Sequence, residues 1–488
     1  MPLNLLRLLA LTLALCAAAI PSIAQTTASD RTEVLTLVDA SAAQYKDVSK
    51  QIWSFAELGY HEEKSSALLQ GQLKAVGFTI QAGVADEPTA FIASYGSGSP
   101  VIAILGEFDA LPGLSQKAIA TREAVANAAP GHGCGHNLLG SGAALAAVAT
   151  KEFMAAHHLA GTIRFYGTPA EEGGSGKIYM VRAGLFKDVD VVLHWHPSDS
   201  NSVNNGGALA INTARFTFHG IASHAAFAPD RGRSALDAVM LMGTGVEYMR
   251  EHVPSNARIH YIISKGGAAP NIVPDLAEME LFARDPDSQI LDGIWARILK
   301  IAAGAAMMTE TTVEVRDVGS DASIVGNDVL AKDAQKNLEA VGGFQLDPGQ
   351  RAFARELQKS LAPGNVAPLD QTSKVEPLRP VDPNAPSAST DVGDVSWNVP
   401  TIGFGTATFV PGVAPHTWQA AASAGTTIGQ EGMVVASKAL ALTAIDLFKS
   451  PELVVGAKEE FHRQLEGKTY KSAIPIAQKP PLNYRDSD

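Results

Sequence analysis

The alternation of apolar and polar stretches predicts a helix over residues 34–58 and a second over 62–75, ended by Gly77. Short apolar runs at 91–95 and 101–106, each bounded by Gly or Pro, read as buried strands. An Ala-rich helix follows over 138–157, then a strand over 162–168, a short helix over 176–183 and a strand over 189–194. Strands alternating with helices predict an α/β fold with a mostly parallel sheet covered on both faces. Near Ala208 the order changes. Strand 210–219, helix 234–251, strands 258–264 and 277–283, helix 288–308 and strand 312–318 make a βαββαβ pattern. Such a pattern reads as a ferredoxin-like module inserted in the larger domain. The division is therefore 25–207 with 320–488 for the larger domain and 208–319 for the insert. Residues 361–386 are a Pro-rich loop, and 389–397 and 401–405 resume the larger domain. An Ala-rich helix then covers 429–448, and the Pro-rich stretch after Ser472 is expected to wrap the surface.

The first 24 residues carry a different pattern. Arg7 precedes an uncharged apolar run over 8–20, and Ser22-Ile23-Ala24 is a small-x-small cleavage signal. This predicts a signal peptide, cleavage after Ala24 and an exported, periplasmic or secreted protein. The run is short for a membrane span, so an uncleaved anchor is the lesser alternative, and no membrane association is expected after cleavage. The chain of 488 residues is 46% hydrophobic and 18% charged, the balance of a globular enzyme. Its net charge of −12 comes without a basic block, which argues against nucleic-acid binding. Cleavage would remove Cys16 and leave Cys134 alone, so no internal disulfide is possible. A single thiol in an oxidising compartment needs protection, and metal ligation would supply it.

Five places collect side chains that suit a metal. Cys134 and His136 lie in the Gly-rich run 131–136, whose glycines permit turns that direct both side chains into one cleft. The run precedes a helix, whose N-terminal amides favour a thiolate. His132 lies close and is either a ligand or flanking structure. Glu171 and Glu172 follow a strand end, where active sites of parallel sheets gather. One can ligate while its neighbour reaches a water, the division that metal-assisted hydrolysis needs. His194 and His196 stand at the next strand end, with Pro197 expected to stop the strand there. His224 lies in the insert and His416 late in the chain. Each place alone has an ordinary structural explanation; their joint placement at strand ends does not.

The segments Gly131-His-Gly-Cys-Gly-His-Asn137, Thr168-Pro-Ala-Glu-Glu-Gly-Gly-Ser-Gly-Lys177, Trp195-His-Pro197, Gly220-Ile-Ala-Ser-His-Ala-Ala226, Pro270-Asn-Ile-Val-Pro274, Ser389-Thr-Asp-Val-Gly-Asp-Val-Ser-Trp397 and Pro415-His-Thr417 occur in order. Together they resemble the M20 metallopeptidase family, in its aminoacylase-like amidohydrolase branch. The resemblance implies a di-metal hydrolase domain with the insert as lid and dimerisation domain. It implies two divalent ions (Zn, Mn or Co) held by Cys134, His136, Glu172, His196 and His416. Trp-His-Pro favours His196, whereas His194 fits the His-x-x-Pro spacing of other branch members. The same resemblance makes Glu171 the general base, His224 an oxyanion stabiliser reaching across a homodimer, and Asp109 a residue that orients metal-site groups. Asn271 and Arg284 would hold the substrate's carboxylate.

The implied reaction is hydrolysis of the amide of small N-acyl amino acids, aryl amides of the p-aminobenzoyl-glutamate kind included. Competing readings are a metallo-carboxypeptidase or dipeptidase, a non-catalytic binding protein of the same fold, and a Cys-His nucleophilic hydrolase. Two departures stand out: Asn137, where many branch members carry Asp, weakens the broad match, and the N-terminal signal, foreign to the best-known members, bears on the substrate.

Overall fold

The computed structural model describes residues 26–382, 388–472 and 474–485. The expected signal segment lies outside them. Among the described residues no helix is long and apolar enough to cross a membrane.

The chain opens with α1 (Ala28–Phe55) and α2 (Glu63–Ala75), followed by β1 (Thr79–Ala82), β2 (Phe91–Ser97) and β3 (Val101–Glu107). Next come α3 (His136–Ala156), β4 (Gly161–Thr168), α4 (Gly176–Arg182), β5 (Val191–Ser198) and β6 (Ser202–Asn204). The insert holds β7 (Ala210–His219), β8 (Ser223–His224), α5 (Ala235–Met249), β9 (Arg258–Lys265), β10 (Ile272–Val273), β11 (Leu276–Asp285), α6 (Ser288–Met308) and β12 (Thr312–Asp321). The rest is α7 (Asp328–Val341), α8 (Pro348–Gln358), α9 (Val392–Ser396), β13 (Thr401–Ala407), α10 (Trp418–Ala424), α11 (Thr427–Lys449) and α12 (Pro451–Gln464).

The main sheet has seven strands in the order β1-β2-β4-β3-β5-β13-β6. Its four central strands, β4, β3, β5 and β13, run parallel. The flanking strands β1, β2 and β6 are antiparallel to their neighbours. Alternation along β3 shows why the strand is apolar throughout. Ile102 and Ile104 enter the core beneath α1, α3 and α11, whereas Val101, Ala103 and Leu105 enter the opposite core with α4 and α9. The Ala-rich sequences of α3 and α11 follow from their position, since small side chains let both be buried almost all round.

The second sheet is antiparallel, in the order β12-β7-β11-β9, with α5 and α6 packed on one face. Its inward positions include Ala214, Phe216, Met279 and Leu281; Thr213, Arg215, Phe282 and Arg284 face a cleft against the main sheet.

β5 departs from expectation, because it passes through Pro197 to Ser198. β3 pairs with β5 only as far as Leu193, whereas β13 stays paired to Ser198. At Pro197 the strand has a neighbour on one side alone, so the missing N–H need not break a ladder.

Candidate metal centre

The carboxyl ends of β3, β4, β5 and β13 open on a cleft of about 1330 Å³, closed on its far side by β7, β11 and β12. Strand ends of this kind are where an α/β sheet binds ligands. The Gly-rich turn is fixed there by reciprocal backbone bonds between Leu111 and Gly131, of 3.1 and 2.9 Å. Gly135, at φ +78°, turns the chain into α3, so that His136 is the first helical residue. The His416 amide donates to the Gly133 carbonyl at 2.8 Å, which brings a residue from the far end of the chain beside Cys134. His416 itself has φ +61°, a left-handed conformation that non-glycine residues hold only where the surroundings enforce it.

Imidazole orientation is set by each ring's second nitrogen. His136 Nδ1 donates to Asp109 Oδ1 at 2.8 Å, leaving Nε2 facing Glu107 Oε2 at 3.2 Å and Glu172 Oε1 at 3.9 Å. His196 Nδ1 donates to the Pro197 carbonyl at 2.8 Å, and its Nε2 lies 3.5 Å from Cys134 Sγ. His416 Nε2 is 3.4 Å from Glu172 Oε2. Because β5 continues, His194 and His196 share the cleft face while Trp195 points inward, its indole donating to the Leu139 carbonyl at 3.0 Å. Among the described residues, three sets bring ligand atoms within 4.8 Å of one another: Cys134 with His136 and His196, Cys134 with Glu172 and His416, and Glu107 with His136 and Glu171. His194 belongs to none of them. His132 is also outside them; its Nε2 donates to the Ile52 carbonyl at 3.0 Å, the role of a buried packing residue.

The chemistry of these donors fits divalent cations. His136 Nε2, Glu172 Oε1 and Glu107 Oε2 are buried without a hydrogen-bond partner, a costly state that a ligated ion relieves. Sulfur, imidazole and carboxylate together suit Zn, Mn or Co. Burial, with the Glu172 charge, pushes the Cys134 thiol well up. A cation would reverse that. Burial first, then the Glu107 and Glu172 charges, raise Glu171 well above the usual carboxylate range. Burial acts the same way on Glu172, but the His416 bond and the His136 charge outweigh it and hold Glu172 low.

Asp109 does more than orient His136. Its Oδ2 accepts from the Glu172 amide at 2.9 Å, so one buried carboxylate sets two of the expected ligands. Arg284 lines the cleft, and its Nε has no partner. His224 and Asn271 are not brought to the site within one chain. His224 sits on the β8–β10 pair opposite Ile272, and Asn271, just before β10, accepts at its carbonyl from the Ala225 amide at 3.0 Å. That pair lies at the exposed rim of the insert and does not line the cleft.

Three residues beside the candidate site, Glu107, Lys177 and Asp391, carry no role in the sequence reading. Lys177, fully buried, places Nζ 2.7 Å from Glu107 Oε1 and 2.6 Å from Asp391 Oδ1. A buried lysine is rare unless paired. Lys177 and Asp391 both stand in the quoted motifs, so a charged residue in an otherwise small-residue run is the signal that could have flagged them. The Pro-rich C-terminal stretch also differs from a mere surface wrap, because Tyr484 and Arg485 line the cleft.

Thiol, imidazole and carboxylate donors around one shared cysteine, with a spare carboxylate beside them at the strand ends of an α/β sheet, define a metal-dependent hydrolase. Residues 103–428 match peptidase family M20/M25/M40, and the chain belongs to that family. It is 41% identical over 462 residues to a subunit of the p-aminobenzoyl-glutamate hydrolase of Escherichia coli, covering 90% of this chain and 96% of the relative. It is 31% identical to the Xaa-Arg dipeptidase of Mus musculus, covering 88% and 91%. A dinuclear metal-binding peptidase of the M20 family from Bacillus subtilis shares the fold at a TM-score of 0.56 and 17% identity, over 84% of this chain and 99% of that one.

Proposed function

We propose that this enzyme hydrolyses the amide bond of N-acyl amino acids, p-aminobenzoyl-glutamate-like aryl amides among them, in a site holding two divalent ions. The observation that carries the reading is the pair of ligand sets sharing Cys134, with Glu171 outside both and beside His136. Cys134, His136 and His196 would hold one ion; Cys134, Glu172 and His416 would hold the other. When bound, such ions polarise a carbonyl and acidify a water, whose pKa falls from about 16 to about 7 in favourable sites. Glu171 takes the proton as the water oxygen adds to the amide carbon. It returns that proton to the nitrogen as the C–N bond breaks, giving a carboxylic acid and a free amine. Asp109 keeps His136 and the Glu172 peptide in place throughout. Arg284 binds the substrate's free carboxylate. His224 and Asn271 join from a second copy in a homodimer, His224 donating to the developing oxyanion.

A second reading, a dipeptidase, is favoured by the 31% identity to the Xaa-Arg dipeptidase, since the same site would cut either bond. Export belongs to the proposal too, supported by Arg7, the apolar run and Ser22-Ile23-Ala24. N-terminal sequencing of the extracytoplasmic protein should begin at Gln25, and a retained Met1 would refute cleavage. The central experiment combines elemental analysis with a panel of N-acyl amino acids and dipeptides. Turnover should vanish with chelator and return with Zn, Mn or Co. Cys134→Ser should lower metal content, and unchanged stoichiometry would sink the shared-ligand assignment.

A further inference from the structure

The C-terminal strap reaches the turn that carries both adjacent glutamates. Ile474 is 1% exposed and packs on Ile178 and Tyr179 of α4. The Arg182 guanidinium donates to the Ile476 carbonyl. Pro475, Pro480 and Pro481 reduce the freedom this segment loses on docking. At its end the ring of Tyr484 meets Tyr60 edge-on, centroids 5.9 Å apart at 79°. Gly59 makes room, since a Cβ there would stand 2.4 Å from the Tyr484 hydroxyl. Tyr60 in turn donates to the Gly174 carbonyl at 2.9 Å. Arg485 lies over the Tyr484 ring at 4.9 Å, and its Nη2 donates to the Glu172 carbonyl at 2.5 Å.

The turn so bracketed is strained. Ala170 and Ser175 have φ of +56° and +51°, left-handed conformations that non-glycine residues hold only where neighbours enforce them. Glu62 Oε1 accepts from the Ala170 amide at 2.8 Å, and Asp109 Oδ2 from the Glu172 amide at 2.9 Å. The Glu172 backbone is thus held at its amide by Asp109 and at its carbonyl by Arg485.

We infer that Tyr484 and Arg485 are positioning residues: the C-terminal strap locks the 170–175 turn so that Glu171 and Glu172 point into the cleft. The inference rests on the roles proposed above for those two glutamates. Both strap residues line the cleft wall and act through the turn.

The test uses the full-length enzyme, Arg485→Ala, Arg485→Lys, a form ending at Leu482, and Ile476→Ser as a control on an exposed strap position. Hydrogen exchange of peptide 168–176 is read in metal-free protein, zinc release into a chelator in loaded protein, and kcat and KM on an N-acyl amino acid. Arg485→Ala and the shortened form should speed exchange at the turn and zinc release by about tenfold, and lower kcat by about 10–100-fold with KM nearly unchanged, as small misplacements do. Arg485→Lys should recover part of each, and Ile476→Ser should match the parent. Unchanged exchange and zinc release would overturn the inference. So would a rise in KM at constant kcat, which would make Arg485 a substrate contact. Faster exchange spread evenly over β4 and α4 would mean general support and would overturn it as well. Faster turn exchange and zinc release in Arg485→Ala and the shortened form, beside a parent enzyme that cleaves no amide, would uphold the strap's role and reject the proposed reaction.

Discussion

The main sheet and the insert present their polar groups in opposite ways. On the main sheet, Glu107, Cys134, His136, Glu171, Glu172, His196 and His416 sit on strand ends and on turns tied to them, and they converge without any movement. On the insert, Arg284 faces the cleft, but His224 lies in, and Asn271 just before, a two-residue strand pair at an exposed rim. A sheet with a core on each face imposes one geometry on whatever its strand ends carry. A rim element completes a site only through closure or through a second copy. One region therefore tests what a rigid scaffold supplies, and the other tests what an assembly supplies.

The largest effect should come from the rigid half. Glu171→Gln should lower kcat by about 10²–10⁴-fold, the range for a lost general base, while elemental analysis finds the metals still bound. Wild-type turnover in that variant would remove Glu171 from the mechanism. Lys177→Met should come next, as a loss of stability. It strands Glu107 and Asp391 in the interior, and breaking a buried pair typically costs about 3–5 kcal/mol. Urea unfolding should register that shift, and a loss below about 1 kcal/mol would mean the two carboxyls simply take up protons.

His224→Ala should cost about 10²–10³-fold in kcat, as removal of an oxyanion donor does, with metal content unchanged. Mixing it with Glu171→Gln should restore activity, because each copy would supply what the other lacks. Activity no greater than the sum of the separate variants would mean that His224 arrives by closure of its own chain.

The same contrast explains what was legible in the sequence. Apolar runs marked the larger helices and strands up to α6, and α11, but not β1, β6, α7, α8, α10 or α12; the βαββαβ order of the insert emerges as the strand order β12-β7-β11-β9. The candidate ligands were visible because each sits at a strand end or in a turn beside one, His196 within β5 itself. Pro197 misled, since whether a proline ends a strand depends on which neighbours remain paired there. Glu107, Lys177 and Asp391 were silent because their meaning lies in a contact spanning 214 residues between Lys177 and Asp391. The strap was silent for the same reason: no local pattern says where a Pro-rich tail will dock.

The smallest effect concerns how the main body is held shut. The Thr27–Asp30 capping box begins α1, and Lys449 at the end of α11 places Nζ 2.5 Å from Asp30 Oδ2. Burial alone would raise the Asp30 carboxyl, but the bonds from Lys449 and Thr27 outweigh it and hold the group at about 2. An unfolded aspartate titrates near 4, so the folded protein binds fewer protons than the unfolded chain between those values. The stabilisation is complete above about pH 4 and disappears as pH falls through 2. Lys449→Met should bring the carboxyl back toward its ordinary value. At pH 7 the loss should be no more than about 1 kcal/mol, because the pair lies near the surface. Between pH 4 and 2 the variant should depend less on pH than the parent. Hydrogen exchange resolves the two regions: the change should appear in α1 and α11 and leave α5 and α6 as they were. An equal response in the insert would show that the two sheets unfold as one unit, and the contrast between them would then belong to the site alone.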